Sequence, residues 1–337
     1  MNWVAVDLGV STIKVSVLDK NNKPVRMTYS MGNYETTLFS SVVVVTEDGN
    51  VILGDYASKL GVVNPNLKVY DWLHSSDKAL IAKNIFEMIK RASIKHYSDS
   101  SIGVVLLYNN IIDPELKSIA ETIFSEVKTM PVGEVLKRII SPNSNLMLIA
   151  DFGESAFRVI LQEKEKCLYQ TSNNTLGFSS FDMLSLIDCQ ESQSHSSIEI
   201  ALLGEMMQHI KILANDGEKV ILPCNLSVKG NSFADSFAQK ITTFFYQCFE
   251  ECSNALKVMS KSWDDVNEVI FIGGVAHSNI INSIFAKYMK SYFPIESYNS
   301  RYSGFDAQFI ASHSALQLSE LKEFEGPVVE RNGNYVK

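Results

Sequence analysis

The chain has 337 residues, of which 46% are hydrophobic and 20% are charged, a balance that excludes disordered and fibrous proteins and allows two lobes with separate cores. The formal net charge is −8 and no basic run concentrates the positive residues. We therefore expect neither nucleic acid nor an anionic membrane surface as a partner.

The cysteines favour a reducing compartment. There are five, and none belongs to a CxxC pair: Cys167, Cys189, Cys224, Cys248 and Cys252. An odd number without metal-ligand spacing is typical of reduced thiols. The first residues enter a strand pattern without the features of a signal peptide, and no run of about 18 apolar residues occurs. These features predict a cytoplasmic protein without a membrane-spanning helix.

The first half of the chain has a pattern of strands followed by helices. VAVDLG and IKVSVLD are typical of strands, and KNNK after them predicts a hairpin turn. A second hairpin is predicted at Asp48–Gly49, a dipeptide that favours a two-residue turn. An apolar stripe predicts a helix over 77–97, followed by the buried strand SIGVVLLY. Asp113 caps a predicted helix that ends near Ser125, and GEVLKRII predicts another short helix.

The pattern restarts at Asn145. The segment NLMLIADFGESAFRVILQ aligns without a gap on NWVAVDLGVSTIKVSVLD at an offset of 144 residues. The matched pairs include Asp7 with Asp151, Gly9 with Gly153, Ser11 with Ser155 and Lys14 with Arg158. We interpret the match as an internal duplication; the alternative is chance similarity between two short strand-turn-strand segments.

The second half again combines strands and helices. Helical periodicity covers 198–214 and runs from Phe233 to about Lys257, the strand EVIFIGG follows, and further helices are predicted from Ser278 and Gly304. Strands and crossover helices in both halves predict an α/β fold of two lobes, residues 1–144 and 145–325, followed by a short tail at 326–337.

The repeated turn has the composition of a phosphate site. Glycine between two strands exposes consecutive backbone N–H groups, which bind anionic oxygens. Asp7 and Asp151 end the preceding strands, and Mg²⁺ prefers such oxygen ligands while it retains several waters. The alternative is that each aspartate caps its own turn. A third loop, Gly273–Gly274 after a strand, would let a ligand approach the backbone near a helix N-terminus.

On these motifs the chain resembles the nucleotide-binding domain of the seventy-kilodalton heat-shock chaperone family, in the superfamily of actin, sugar kinases and heat-shock ATPases. VAVDLGVST and ADFGESAFRVILQ resemble its two phosphate loops, GDYASKLGVVNPN its Gly-Asp-Ala-Ala helix with the following Asn-Pro, and VIFIGGVAHS its adenosine loop. The resemblance implies two actin-like lobes related by duplication, with ATP or ADP and Mg²⁺ in the cleft between them.

The resemblance also implies roles for individual residues. Asp7 and Asp151 would act in catalysis by positioning the metal through its waters. The implied nucleotide contacts are Gly9, Val10, Ser11, Thr12, Gly153, Glu154, Ser155, Gln208, Lys211, Ile212, Asn215, Gly273, Gly274, Val275 and His277.

Some positions depart from the family's pattern. Glu154 places a carboxylate in the second phosphate loop, and about 4 Å from a phosphate charge it would cost roughly 4 kcal/mol at an effective dielectric constant of about 20. Ala156 lacks the hydroxyl of the family's threonine, Val10 replaces another threonine, and KVYDWLHSS lacks the catalytic lysine. We therefore expect weak or absent ATP hydrolysis.

Three functions stay open. The first is a chaperone-like protein that binds ATP or ADP, has slow Mg²⁺-dependent hydrolysis or none, and lacks the peptide-binding domain. The second is a non-catalytic scaffold of the same fold that binds no nucleotide and acts through protein partners. The third, a sugar or acetate kinase, would need an acceptor pocket and a catalytic carboxylate that the sequence does not reveal.

Overall fold

The computed structural model describes residues 1–9, 12–31, 34–40, 42–46, 48, 50–53, 57, 68–71, 77–109, 112–137, 139, 145–153, 156–164, 166–177, 219–221, 227–273, 309–317, 330–331 and 334–335. The helices predicted over 198–214 and from Ser278 lie outside these residues. The fold is mixed α/β with several sheets, as the sequence predicts at that level.

The elements are numbered here in chain order. The strands are β1 (Asn2–Leu8), β2 (Thr12–Leu18), β3 (Pro24–Arg26), β4 (Tyr29–Met31), β5 (Tyr34–Thr36), β6 (Leu38–Ser40), β7 (Val42–Val45), β8 (Val51–Leu53), β9 (Lys68–Asp71), β10 (Ile102–Tyr108), β11 (Glu126–Pro131), β12 (Leu146–Phe152), β13 (Phe157–Glu163), β14 (Lys166–Asn173), β15 (Lys219–Ile221), β16 (Ser227–Lys229), β17 (Glu268–Ile272), β18 (Glu330–Arg331) and β19 (Asn334–Tyr335). The helices are α1 (Lys78–Tyr97), α2 (Pro114–Ile123), α3 (Val132–Leu136), α4 (Gly230–Val258) and α5 (Ile310–Gln317), with a 3₁₀ turn at Trp263–Asp265.

The chain divides into two compact units. The first unit comprises Met1–Arg138 and Phe309–Val328, and the second comprises Ile139–Gln308 and Val329–Lys337. The main division lies close to the boundary predicted after residue 144. The C-terminal part differs from the prediction, because residues 309–325 were expected in the second lobe and instead belong to the first unit.

Contacts of α5 explain this difference. The helix packs against β1, β2 and β3 of the first unit. The Ser312 hydroxyl hydrogen-bonds the Ser16 hydroxyl at 2.6 Å in the buried interface, and the Arg26 guanidinium lies 5.7 Å from the centre of the Phe309 ring. Such contacts between distant parts of the chain cannot be derived from local periodicity.

The main sheet of the first unit is built around β1. On one side β1 pairs antiparallel with β2, and β2 pairs antiparallel with β3. On the other side β1 pairs in parallel with β10, and β10 pairs in parallel with β11. Side chains alternate between the faces of a strand, so Val4, Val6 and Val15 form one core with residues of α1 and α2 such as Ile85 and Leu116. The predicted helix over 77–97 is confirmed as α1. The strand β11 was not predicted.

Turn chemistry fixes both predicted hairpins of the first unit. The Asp19 carboxylate accepts hydrogen bonds from the backbone N–H groups of Asn21 and Lys23, each at 2.8 Å, and this closes the turn between β2 and β3. The second hairpin joins β7 and β8, but its turn is longer than the predicted two residues. The backbone N–H of Thr46 donates to the Asn50 carbonyl at 2.9 Å, which leaves three residues between them.

The main sheet of the second unit is built around β12. On one side β12 pairs antiparallel with β13, and β13 pairs antiparallel with β14. On the other side β12 pairs in parallel with β17. Aromatic side chains join it to α4, since Phe152 packs against Phe244 and Phe245. The tail predicted at 326–337 contains two short strands, β18 and β19, and β19 pairs with β14 at Thr171 and Asn334.

The two main sheets share one order of elements. In each, three antiparallel strands are followed later in the chain by a long helix and then by a strand parallel to the first: β1–β2–β3, α1 and β10 in one unit, and β12–β13–β14, α4 and β17 in the other. The register also agrees, because Asp7 pairs with Lys14 and Asp151 with Arg158. Among the helices in the described part of the chain, none has the length and apolarity needed to cross a bilayer.

Candidate functional site

The end of β1 holds the first candidate aspartate. Asp7 lies near the end of β1, opposite Lys14 on β2, and the Lys14 Nζ lies 3.3 Å from the Asp7 Oδ2. The Asp7 side chain is 17% exposed and the Lys14 side chain 11%. The lysine is therefore held at the end of the sheet by an ion pair with the aspartate.

Gly9 brings the backbone of this turn onto the lysine. A Cβ at Gly9 would lie 2.5 Å from the Thr12 carbonyl oxygen and 2.9 Å from the Lys14 Nζ. Any larger residue would have to move the backbone or the ammonium group, so the close approach requires glycine. The result is a cation directly beside the backbone of the first turn.

The turn after β12 repeats the pattern with an arginine. The Arg158 Nη1 donates to the Asp151 Oδ2 across the β12–β13 hairpin, and only 5% of the arginine and 10% of the aspartate side chain are exposed. The N–H of Gly153 donates to the Ala156 carbonyl oxygen at 2.9 Å, which closes this turn on itself. Within the described residues no corresponding bond joins Gly9 to Thr12.

The third candidate loop begins against Asp151. Gly273 follows β17 with φ +104°, a conformation that side chains disfavour. A Cβ there would lie 2.3 Å from the Phe152 carbonyl oxygen and 2.9 Å from the Asp151 Oδ1. Gly273 therefore lies close to Asp151. We expect this proximity if the loop after β17 and the turn after β12 belong to one site.

Both aspartates have a basic hydrogen-bond partner. Among the described residues, each carboxylate accepts a hydrogen bond from the basic side chain opposite it on the adjacent strand. Each pair carries no net charge, so neither Asp7 nor Asp151 is an isolated carboxylate. In the part of the chain that the structure describes, no cluster of three or more His, Cys, Asp or Glu residues is arranged to hold a metal ion.

The remaining predicted contacts are placed only in part. Thr12 begins β2, where it is half-buried and pairs with Ser40. Eleven predicted site residues lie outside the described residues: Val10, Ser11, Glu154, Ser155, Gln208, Lys211, Ile212, Asn215, Gly274, Val275 and His277. The predicted nucleotide contacts on the adenosine side therefore stay predictions.

Two functional candidates were missed from sequence. Lys14 and Arg158 occupy matched positions of the repeat, and the family resemblance assigns neither of them a role. The signal was a basic residue seven positions after each aspartate, which the antiparallel register places directly opposite it. No family model matches this chain, and no curated protein has significant sequence similarity to it.

Proposed function

We propose that this chain is a nucleotide-binding protein of the heat-shock ATPase type, with two actin-like lobes related by internal duplication. It binds ADP or ATP with little dependence on Mg²⁺ and hydrolyses ATP slowly or not at all. The observation that carries the proposal is the matched ion pair beside each glycine turn, Asp7 with Lys14 and Asp151 with Arg158.

The shared order of elements supports the duplication. The gapless alignment sets β1 on β12, residue for residue, and the hairpin register of the two copies is the same. Chance similarity of two turns would not require a helix and a parallel strand to follow each copy in the same order. Both units have them.

The charges of the pairs support binding that depends little on metal. A bare carboxylate about 4 Å from a phosphate repels it by roughly 4 kcal/mol at an effective dielectric constant of about 20, and Mg²⁺ normally relieves that repulsion. Here Lys14 and Arg158 already neutralise the two carboxylates. The phosphates then gain less from Mg²⁺, and the metal itself finds less negative charge to bind.

Slow hydrolysis follows from missing groups. Ala156 is buried and offers no hydroxyl to a phosphate, and loss of one preorganised donor typically costs about a hundredfold or more in rate. Asp71 ends β9 in the stretch where the resemblance leads us to expect a lysine. Asp7 and Asp151 are also ion-paired with Lys14 and Arg158, so they would hold a metal-bound water less firmly than unpaired carboxylates would.

Contacts within the second unit favour a second candidate function, that of a scaffold. Asp151 and Arg158 satisfy each other, Gly153 bonds within its own turn, and Gly273 packs against the same carboxylate. A turn closed in this way suits a scaffold that no longer binds nucleotide. The same protein would then act through protein partners.

Calorimetric titration with ADP and ATP, in Mg²⁺ and in EDTA, separates these functions. We expect ADP to bind in EDTA within about tenfold of its affinity in Mg²⁺, a difference below about 1.4 kcal/mol. Asp7→Asn should tighten binding, because it frees the Lys14 ammonium for the phosphate. In a metal-cradle site the same substitution would weaken binding by removing a ligand of the metal waters.

Glu134→Gln is the matched control. Glu134 pairs with Lys137 at 2.5 Å in the same unit, so its substitution also frees a partly buried lysine. It should leave nucleotide affinity unchanged. Binding that requires Mg²⁺ and is lost in Asp7→Asn would contradict the ion-pair argument, and the absence of binding by either nucleotide would favour the scaffold.

A further inference from the structure

The strand β14 of the second unit is held very unequally by its two neighbours. It pairs with β13 at seven positions along its length. On its other side it pairs with β19 at Thr171 and Asn334, and β18 and β19 have two residues each. A two-stranded hairpin of this size is marginally stable by itself. The pair β18–β19 is therefore held much more weakly than β13, and it can leave the sheet without unfolding the unit.

β14 offers a regular segment to an added strand. A β-bulge interrupts its register with β13 between Leu161 and Gln162, whereas the residues from Tyr169 to Asn173 pair with β13 in regular order. Alternate residues of a strand direct their backbone N–H and C=O groups to the same side. When β19 leaves, the segment from Tyr169 to Asn173 therefore presents hydrogen-bonding groups to any extended polypeptide that lies beside it.

A buried acceptor lies next to the position where β19 pairs. The Gln170 side chain is 8% exposed, and within the described residues its Oε1 has no hydrogen-bond partner. The antiparallel pairing of Thr171 with Asn334 places residue 335 opposite Gln170. Cross-strand neighbours lie on the same face of a sheet, so a donor side chain at that position of an added strand is within reach of the Gln170 amide. Such a donor would remove the cost of an unsatisfied buried acceptor.

We infer that the outer edge of β14 is a strand-addition site for an extended polypeptide segment that runs antiparallel to β14 and carries a hydrogen-bond donor side chain opposite Gln170. In the free chain β18 and β19 occupy this edge, and the partner segment displaces them. The partner competes with a short, weakly held pair of strands and gains a hydrogen bond to the Gln170 Oε1. This inference does not depend on nucleotide binding.

Binding of a fluorescent peptide with the sequence of residues 329–337 to the full chain tests the site. Since β19 lies between β14 and β18, Asn334→Pro in the chain removes a backbone donor from one of its two ladders and weakens its hold. We expect anisotropy to show at least about tenfold tighter peptide binding by this variant than by the unchanged chain, whose own segment competes. A tethered segment has an effective concentration on the order of 1 mM, so the Kd for the variant should lie below about 1 mM. A peptide that itself carries Asn334→Pro is the matched control and should not bind.

A second peptide tests the role of Gln170. Tyr335→Gln in the peptide supplies an amide donor opposite Gln170, and this peptide should bind the Asn334→Pro chain about tenfold more tightly than the unchanged peptide does. The advantage should disappear when the chain also carries Gln170→Leu, because the acceptor is then absent. Thermal unfolding of each chain variant shows whether a loss of binding reflects a loss of fold.

Three results would overturn the inference. Equal affinity of the unchanged peptide for the Asn334→Pro chain and the unchanged chain would mean that the peptide does not bind where β19 lies. No binding to the variant well above about 1 mM peptide would mean that the edge of β14 accepts no strand. Self-association of the Asn334→Pro chain without peptide, seen by light scattering, would identify the occupant as a second copy of the edge rather than an extended partner segment.

Discussion

Arg158→Met is the substitution whose effect follows most directly from the structure. It removes the cation beside Asp151 and keeps a side chain of similar length. The Asp151 carboxylate is only 10% exposed, so water cannot replace the lost partner well. Breaking one side of a buried ion pair typically costs about 3–5 kcal/mol, and we expect a loss of that size in the free energy of unfolding of the second unit.

An exposed pair in the same unit provides the comparison. Lys261 lies 3.5 Å from the Glu163 carboxylate, and these side chains are 33% and 45% exposed. Such surface pairs contribute about 0–1 kcal/mol, so Lys261→Met should cost several-fold less than Arg158→Met. Both variants lose a cation, so the difference between their losses in free energy of unfolding measures the effect of burying the ion pair.

Urea unfolding with one fluorescent reporter measures both variants. Trp263 lies in the second unit, where its indole N–H donates to the Ser253 hydroxyl at 3.0 Å and its ring packs near Phe249. Replacing Trp3 and Trp72 by phenylalanine leaves it as the only tryptophan. Its transition then reports this unit rather than an average over two units.

The double variant Asp151→Leu with Arg158→Met completes the test. Replacing both charges by apolar groups removes the unpaired carboxylate, so most of the stability lost in Arg158→Met should return. A cost below about 1 kcal/mol for Arg158→Met, equal to that of Lys261→Met, would refute the reasoning, because it would mean that water reaches the Asp151 carboxylate.

Three further predictions concern other parts of the fold. Gly273→Ala should destabilise the second unit by about 1–3 kcal/mol or more in the same unfolding assay, because φ is +104° and a Cβ would clash with the backbone. Burial raises the pKa of the Cys252 thiol far above its ordinary value, so native protein at about pH 8 should be alkylated by iodoacetamide at the half-exposed Cys167 and not at Cys252, as mass spectrometry would show. The hydrogen bond from Lys78 lowers the pKa of Asp113, so the stability from this pair is present above about pH 4 and lost as the pH falls through the lowered value; Lys78→Met should raise that pKa in an NMR titration.

Local signals in the sequence were sufficient for several elements. The apolar stripe predicted α1, and Asp113 before Pro114 predicted the start of α2, where the Asp113 carboxylate accepts from the Glu115 N–H at 2.9 Å. The gapless repeat predicted that β12 and β13 would match β1 and β2. These elements depend on neighbours within a few residues, which is the range that a periodic pattern reports.

Strands were missed at two places in the chain, for different reasons. EVKTMP, which forms β11, is short and polar at its start, so its pattern does not distinguish a strand from a loop. The C-terminal hairpin had a usable signal, because Asn332 and Gly333 stand between β18 and β19 and this dipeptide favours hairpin turns.

Most of the candidate site depended on information that local patterns do not contain. The ion pair between Asp7 and Lys14 needs the register of β1 against β2, since a slip of one residue would place the lysine on the other face of the sheet. The contact of Gly273 with Asp151 joins residues more than a hundred positions apart. The composition of the turns was visible in the sequence, whereas the neutralisation of their aspartates was not.

The two copies of the turn show how one local pattern can acquire two properties. Both have an aspartate, a glycine two residues later and a basic residue opposite the aspartate. In the second copy Gly273 packs against the carboxylate and Ala156 accepts the glycine N–H, and the ion pair there is the more buried one. Since the strand register is the same in both copies, the greater burial of the second ion pair comes from what packs beside it, and for this reason Arg158→Met should cost its unit more stability than Lys14→Met costs the first unit.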